Sequence, residues 1–290
     1  MLTSRAYLVP HRPTLLVDQH RGHHTEMLNA LAAAGAALAE ETPQVVVILS
    51  ARWNTAGPFR VDAGKRHRTI TDYAGLGVEA RYDCTGHPAL ARALVVAGER
   101  AGVHVAAGTR GVDSGATVPL HFLFPGRSVR VVPLSLPERD PLECRVWGGV
   151  LRRALEARAE RVTFLVGGVL SDNQHAWSLR RDMPEAPALD QSVLERLARG
   201  EWSALAPRER SVIERARPEA GLRHLEVLRG FLGHDARGIV RCYESGPGVG
   251  AALIEFVLAE GDLEPLPEPV KDATASPPAA PASRRKSARG

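Results

Sequence analysis

Four chemically capable side chains each follow a run of strand-like residues. His11 comes directly after the apolar run at 5–10, and Arg52 comes after Val45-Val46-Val47-Ile48-Leu49-Ser50. Asp113 lies in the glycine-rich stretch 108–115, beyond a strand-like run at 103–106, and Asp172 lies beyond another at 161–167. In open α/β sheets, ligands gather past the carboxyl ends of strands, and loops on a rigid scaffold carry much of the chemistry. An imidazole there moves a proton near neutral pH. A guanidinium keeps its charge and has no lone pair to give a metal or a proton. The four residues thus offer one proton-transfer group, one fixed cation and two carboxylates able to neutralise it.

The elements that must position them alternate in type. Strand-like runs at 5–10, 44–50, 59–62, 103–106, 129–136, 161–167 and 238–243 are separated by helical patterns at 23–41, 88–101, 141–158, 190–217 and 221–232. Residues 119–124 form a short apolar stretch, and 248–258 a closing apolar element. Residues 44–50 are apolar on both faces, as expected of a central strand covered on both sides. Glu40-Glu41-Thr42-Pro43 ends the first helix, and Gly102 stops the second. This alternation predicts a three-layer α/β domain over residues 1–259, with a central, mostly parallel or mixed sheet and helices on both faces. Residues 260–290 are rich in proline, alanine and serine and read as a disordered tail with a basic end.

Composition removes several classes of function. The chain has 290 residues, 44% hydrophobic and only 5% aromatic, so aliphatic side chains must fill the core. Its net charge of +4 equals that of the stretch from Lys271 onward, where Lys271, Arg284, Arg285, Lys286 and Arg289 oppose Asp272. The body is then neutral, and no nucleic-acid partner is expected. Cys84, Cys144 and Cys242 are isolated, with no CxxC pair to suggest a disulfide framework or a thiolate zinc site. No apolar stretch approaches the ~20 residues of a membrane span, and no leader pattern opens the chain. The expectation is a soluble cytoplasmic protein without a membrane partner.

Five segments, in order, resemble the class III extradiol ring-cleavage dioxygenases of the LigB type, together with their MEMO-like branch. They are Val9-Pro10-His11-Arg12-Pro13, Leu49-Ser50-Ala51-Arg52-Trp53, the run Gly111-Val112-Asp113-Ser114-Gly115-Ala116-Thr117-Val118-Pro119-Leu120, Gly167-Gly168-Val169-Leu170-Ser171-Asp172, and Glu219-Ala220-Gly221-Leu222-Arg223 with Leu228-Arg229-Gly230. The resemblance runs from about residue 6 to residue 258. It implies Fe(II) held by two histidines and a glutamate, leaving open positions for a catecholate and O2, with a further histidine for acid/base work.

Carried over residue by residue, the resemblance makes His11 the first metal ligand and Glu219 the carboxylate ligand. Arg52 stands where the second histidine ligand belongs, beside the family's tryptophan at Trp53. Asp172 replaces the catalytic histidine, with His175 three residues on as a substitute, and Ser114 replaces a supporting histidine beside Asp113. The expectation is a dioxygenase-like protein with a degraded Fe(II) site, weak or empty of metal, acting as a non-catalytic subunit or small-molecule binder. The alternative is an active metal-dependent ring-cleaving dioxygenase with a rearranged site: His11, Glu219, Asp172 and a nearby histidine. Possible partners are an aromatic small molecule, a second copy of the chain or a paralogous catalytic subunit. Because a buried unpaired charge is costly, Arg52 is expected within salt-bridge reach of Glu219, Asp172 or Asp113.

Plainer readings compete with each of these. His11 could be a satisfied core histidine, Glu219 a first-turn residue after Pro218, Arg52 a surface arginine, and Ser171-Asp172 a turn or cap. His20, His23 and His24 read as a solvated polar run. Gly246-Pro247-Gly248-Val249-Gly250 lacks the lysine of a phosphate loop and reads as a turn. No Gly-x-Ser-x-Gly elbow is present.

Overall fold

Val45, Val47 and Leu49 pack into one hydrophobic cluster while Val46 and Ile48 pack into another. This is the period-two alternation of a strand with a covered layer on each side. The computed structural model describes residues 1–259 apart from Ala74, Ala204, Arg208, His234 and Asp235; the predicted tail lies outside the described residues. The strand in question, β2 (Val45–Ser50), lies inside an eight-stranded sheet. With β1 (Leu2–Val9), β3 (Phe59–Asp62), β6 (Val105–Gly108), β7 (Arg130–Leu134), β8 (Val162–Gly167), β9 (Gly238–Gly246) and β10 (Val249–Val257), the order is β6-β3-β7-β2-β8-β1-β10-β9. A separate two-stranded ribbon pairs β4 (Arg66–His67) with β5 (Cys84–Thr85).

β7, β2, β8 and β1 run parallel, so their carboxyl ends meet along one edge. The β3–β7 pair and the β1–β10–β9 hairpin are antiparallel, which makes the sheet mixed. One face is covered by α3 (Pro88–Arg100), α5 (Pro141–Glu156), α7 (Glu185–Arg199) and α9 (Arg223–Leu232). The other is covered by α1 (Thr14–His20), α2 (Glu26–Glu40) and α4 (Ser114–Leu123). The shorter helices α6 (Gln174–Ser178) and α8 (Arg210–Ala216) complete the set. This is the expected three-layer α/β architecture.

Three local expectations need correction. The glycine-rich stretch does not run to Gly115, because α4 already starts at Ser114 and includes the apolar segment around Pro119. Gly115 is needed there: a Cβ on it would lie 2.1 Å from Ser50 Oγ, so the helix start is pressed against the end of β2. The last helix begins at Arg223, two residues later than its pattern suggests, because Gly221 and Leu222 are left-handed. The helical pattern at 190–217 resolves into α7, which starts earlier at Glu185, and the separate short α8. Cys84, Cys144 and Cys242 are all free and buried. No helix among the described residues is long and apolar enough to cross a membrane.

Candidate functional site

β1 ends at Val9 and hands the chain to His11, which is only 5% exposed. Its Nε2 lies 2.7 Å from Glu219 Oε1. Glu219 is brought across the molecule by a short pairing of backbones. Asp172 N donates to Arg217 O at 2.9 Å, and Glu219 N donates to Leu170 O at 2.8 Å. The segment beyond β8 thus takes residues 217–219 as an extra antiparallel partner, with a bridge at Ser171 and Pro218. On its other flank, Leu170 N donates to Gly250 O and Asn173 N to Gly248 O. The second Glu219 oxygen accepts the Val169 N–H at 2.7 Å. After Glu219 the chain turns through three successive left-handed residues, Ala220, Gly221 and Leu222 (φ 49°, 61° and 62°). The two that are not glycine each cost on the order of 1–3 kcal/mol, a kind of strain that collects at functional sites.

Burial works against charge on both His11 and Glu219, yet each partner outweighs it for the other. The His11 pKa is raised and that of Glu219 is lowered. The contact favours the imidazolium–carboxylate form of the pair. Beside them lies a residue that the sequence reading missed. His224, on the first turn of α9, is fully buried, and among the described residues neither ring nitrogen has a well-formed hydrogen bond, although the Val169 backbone favours its protonated form. A Cβ on Gly168 would sit 3.1 Å from His224 Nε2 and 3.4 Å from Glu219 Oε2, so ring and carboxylate share the space over that glycine. Burial depresses the His224 pKa to about 4, only partly opposed by Glu219, so the ring is neutral at pH 7. A signal for it was present: His224 falls in helical register with Leu228 and Phe231, a titratable group on an apolar stripe.

Arg52 reaches one of its three expected partners. Its Nη1 is 3.6 Å from Asp172 Oδ2, and its Nε is 3.9 Å from Asp72 Oδ2. Its side chain remains one-third exposed (33%), and Glu219 belongs to His11 instead. The guanidinium is therefore not packed into the His11–Glu219 core, which already balances its own charge. The Asp172 pKa is raised, first by burial and then by the Glu219 charge, and its second oxygen bonds to Gln174 Nε2. Ser114 holds Asp72 from two sides: its N–H donates to Oδ1 at 3.0 Å and its Oγ to Oδ2 at 2.8 Å.

The other sequence candidates lie away from the cavity wall. Asp113 is buried, accepts from Ser50 Oγ at 2.6 Å and pairs with Arg110. Trp53 is buried with the Arg110 guanidinium over its ring. His175 is exposed on α6 and is not brought to the cavity. His20, His23 and His24 are all exposed, and His23 pairs with Asp18. The Gly246–Gly248 segment is the β9–β10 turn.

Between these groups lies a cavity of about 210 Å³. His11, Arg12, Arg52, Asp72, Ser114 and Asp172 supply its polar wall. Tyr73, Leu76, Val169, Trp177 and Val249 supply the apolar one. Arg12 is partly buried and its pKa is lowered, chiefly by that burial. Arg12, Asp72 and Tyr73 were not among the sequence candidates.

A family model described as the catalytic LigB subunit of aromatic ring-opening dioxygenase matches residues 5–254. The chain belongs to the LigB family. A relative of this LigB chain, the dioxygenase tasH of Hapsidospora irregularis, is 28% identical over 138 residues. That match spans 46% of this chain and 41% of the relative, less than half of either. Among solved structures, the uncharacterized protein JW3007 from Escherichia coli K12 superposes with a TM-score of 0.65 at 18% identity. It covers 87% of this chain and 99% of that one, a likeness of fold.

LigB proteins usually work with Fe(II). His11, His224, Glu219 and Asp172 are donors of suitable type for such an ion, but their arrangement does not fit it. His11 and Glu219 are closed on each other, and the free Glu219 oxygen is taken by Val169. Among the described residues, no group of three or more His, Cys, Asp or Glu side chains is placed to hold a metal ion. Arg52 adds a permanent positive charge at the rim.

Proposed function

We propose that this LigB-family chain binds a small ring-shaped molecule in the cavity between His11 and Arg52 and does not carry out iron-dependent ring opening. It acts as a binder, or as the non-catalytic subunit of a paralogous catalytic chain. One observation carries this reading: the family's histidine and carboxylate positions, His11 and Glu219, neutralise each other at 2.7 Å. The positions of the second histidine ligand and of the catalytic histidine hold Arg52 and Asp172, which also pair. Where ring opening would need an open cation site, the protein supplies two internal ion pairs.

The test is direct. The purified chain is analysed for iron, then offered Fe(II) and O2 with catechol, protocatechuate and aminophenol. The expected result is far less than one iron per chain and no yellow ring-opened product. Near-stoichiometric iron with colour formation would overturn the proposal.

One observation favours a second reading. Among the described residues, both nitrogens of the fully buried His224 lack a well-formed hydrogen bond, and buried polar groups almost always have a partner. A rearranged metal-dependent enzyme would use His224 as the extra histidine beside His11 and Glu219. Under that reading, iron content would fall in His224→Ala and stay high in Arg52→Gln.

A further inference from the structure

We propose that the outer edge of β9 is a docking surface for a second copy of this chain, joined strand to strand about a two-fold axis. The two eight-stranded sheets then run on as one across the pair.

β9 ends the sheet on one side, with nine residues, Gly238–Gly246, against only four in β6 at the opposite edge. An edge strand presents a row of unpaired N–H and C=O groups, which proteins blunt by shortness, proline, lysine or a cover. Gly238–Gly246 contains neither proline nor lysine. Among the described residues, β10 alone bonds to its backbone. The layers of α2 and α7 hold its two faces: Met27 N donates to Glu244 Oε1 at 3.3 Å, and Tyr243 O–H to Asp190 Oδ2 at 2.9 Å. Ile239 and Val240 are nonetheless 42% and 37% exposed, and Val257, at the same end of the hairpin, is 57% exposed. A bulge at Arg241 interrupts the ladder once, and its guanidinium is drawn to Glu255 at 2.8 Å.

The edge selects its own copy as the occupant. Under a two-fold rotation, the outward donors of an antiparallel strand meet the outward acceptors of the same strand. The side chains agree. Val240 and Tyr243 pair with Ile254 and Ala252, on the α7 face of the sheet. Ile239 and Glu244 pair with Glu255 and Ala251, on the α2 face. A two-fold register that sets Val240 opposite the second copy's Tyr243, and Ile239 opposite its Glu244, keeps all four on their own faces. It makes two pairs of a β-branched with an aromatic side chain, a favourable combination across strands. It also sets each Arg241 diagonal to the other copy's Glu244, opposite in charge and within reach of long side chains. Such an interface is small, below about 1,200 Å², so the dimer is a weak one, with Kd on the order of 10–100 µM.

Sedimentation equilibrium of the full chain, from well below that constant to well above it, should show a reversible monomer–dimer equilibrium. Val240→Lys and Ile239→Lys each bring two lysines to the two-fold interface, one from each copy, and should weaken it at least about tenfold. Val96→Lys alters an apolar side chain 43% exposed on α3 and should leave it unchanged. A melting curve checks that each variant folds. Hydrogen exchange of the wild-type chain needs no variant: amides of residues 239–245 should exchange more slowly at high concentration, while those of β6 keep one rate. A one-chain mass at every concentration, the result expected if the edge takes a strand from a different protein, would overturn the proposal. So would a dimer that survives both edge lysines, one that Val96→Lys also breaks, or β9 amides whose exchange ignores concentration.

Discussion

His11 and Glu219 are 208 residues apart in sequence and 2.7 Å apart in space, both nearly sealed from solvent. Removing one member of a buried pair strands the charge of the other. Glu219→Gln should therefore destabilise the fold by about 3–5 kcal/mol, measured by urea unfolding. The double variant His11→Leu with Glu219→Leu should recover much of that loss. If Glu219→Gln melts like wild type, the pair is not a charged one.

The two buried histidines should titrate in opposite senses. His11 stays protonated above the usual histidine range, held by Glu219, while His224 stays neutral down to about pH 4. A folded-state pKa below the unfolded value of about 6.5 means that stability is lost as pH falls from there toward about 4. Imidazole proton shifts followed by NMR from pH 8 to 5 should show a His224 signal that does not move. A His224 midpoint near 6.5 would contradict this.

On the proposed reading, Arg52 is the group that keeps a cation from the rim. Arg52→His, combined with Asp172→His, should create affinity for Zn(II) or Fe(II) where wild type has little. At 100 times its dissociation constant a ligand adds about 2.7 kcal/mol, which raises Tm by roughly 5–10 °C for a domain of this size. Melting curves with and without metal check this. No metal-dependent shift in the double variant would place the obstacle in the His11–Glu219 pair instead.

Behind the site, Asp190 accepts from Ser171 N at 2.9 Å, Ser171 Oγ at 2.8 Å and Tyr243 O–H at 2.9 Å. Burial still pushes its pKa up to about 6, against those hydrogen bonds. A raised acid pKa favours folding at low pH, and that contribution fades as pH rises from about 4 through about 6. The stability of Asp190→Asn relative to wild type should accordingly improve by up to roughly 3 kcal/mol across that window. A pH-independent difference would argue against a proton-binding Asp190.

Strands were legible where burial was two-sided. The run around β2 declared itself because both of its faces are apolar, and the strand Phe59–Asp62 has the bounds expected of it. His11 and Arg52 could be placed at strand ends because the parallel order of β1, β2 and β8 fixes which end faces the site. Asp72 could not be found this way. It sits in a loop without periodicity and enters only because Ser114 holds it. The backbone pairing of residues 170–172 with 217–219 joins segments with no local signal of contact. His224 carried a signal, but an apolar helical stripe reads first as packing. His175 misled for the opposite reason: closeness in sequence to Asp172 did not bring its ring inward.

The left-handed run after Glu219 has a consequence for how this protein tolerates change. Residues 220–222 set a fixed spacer between a carboxylate held by Val169, just past β8, and an imidazole buried on α9. Losing or gaining one residue there would rotate everything downstream by about 100° around the helix axis, swinging His224 off the inner face and a neighbour such as Arg223 into its place. Length, more than side-chain identity, is what heredity must guard in that stretch.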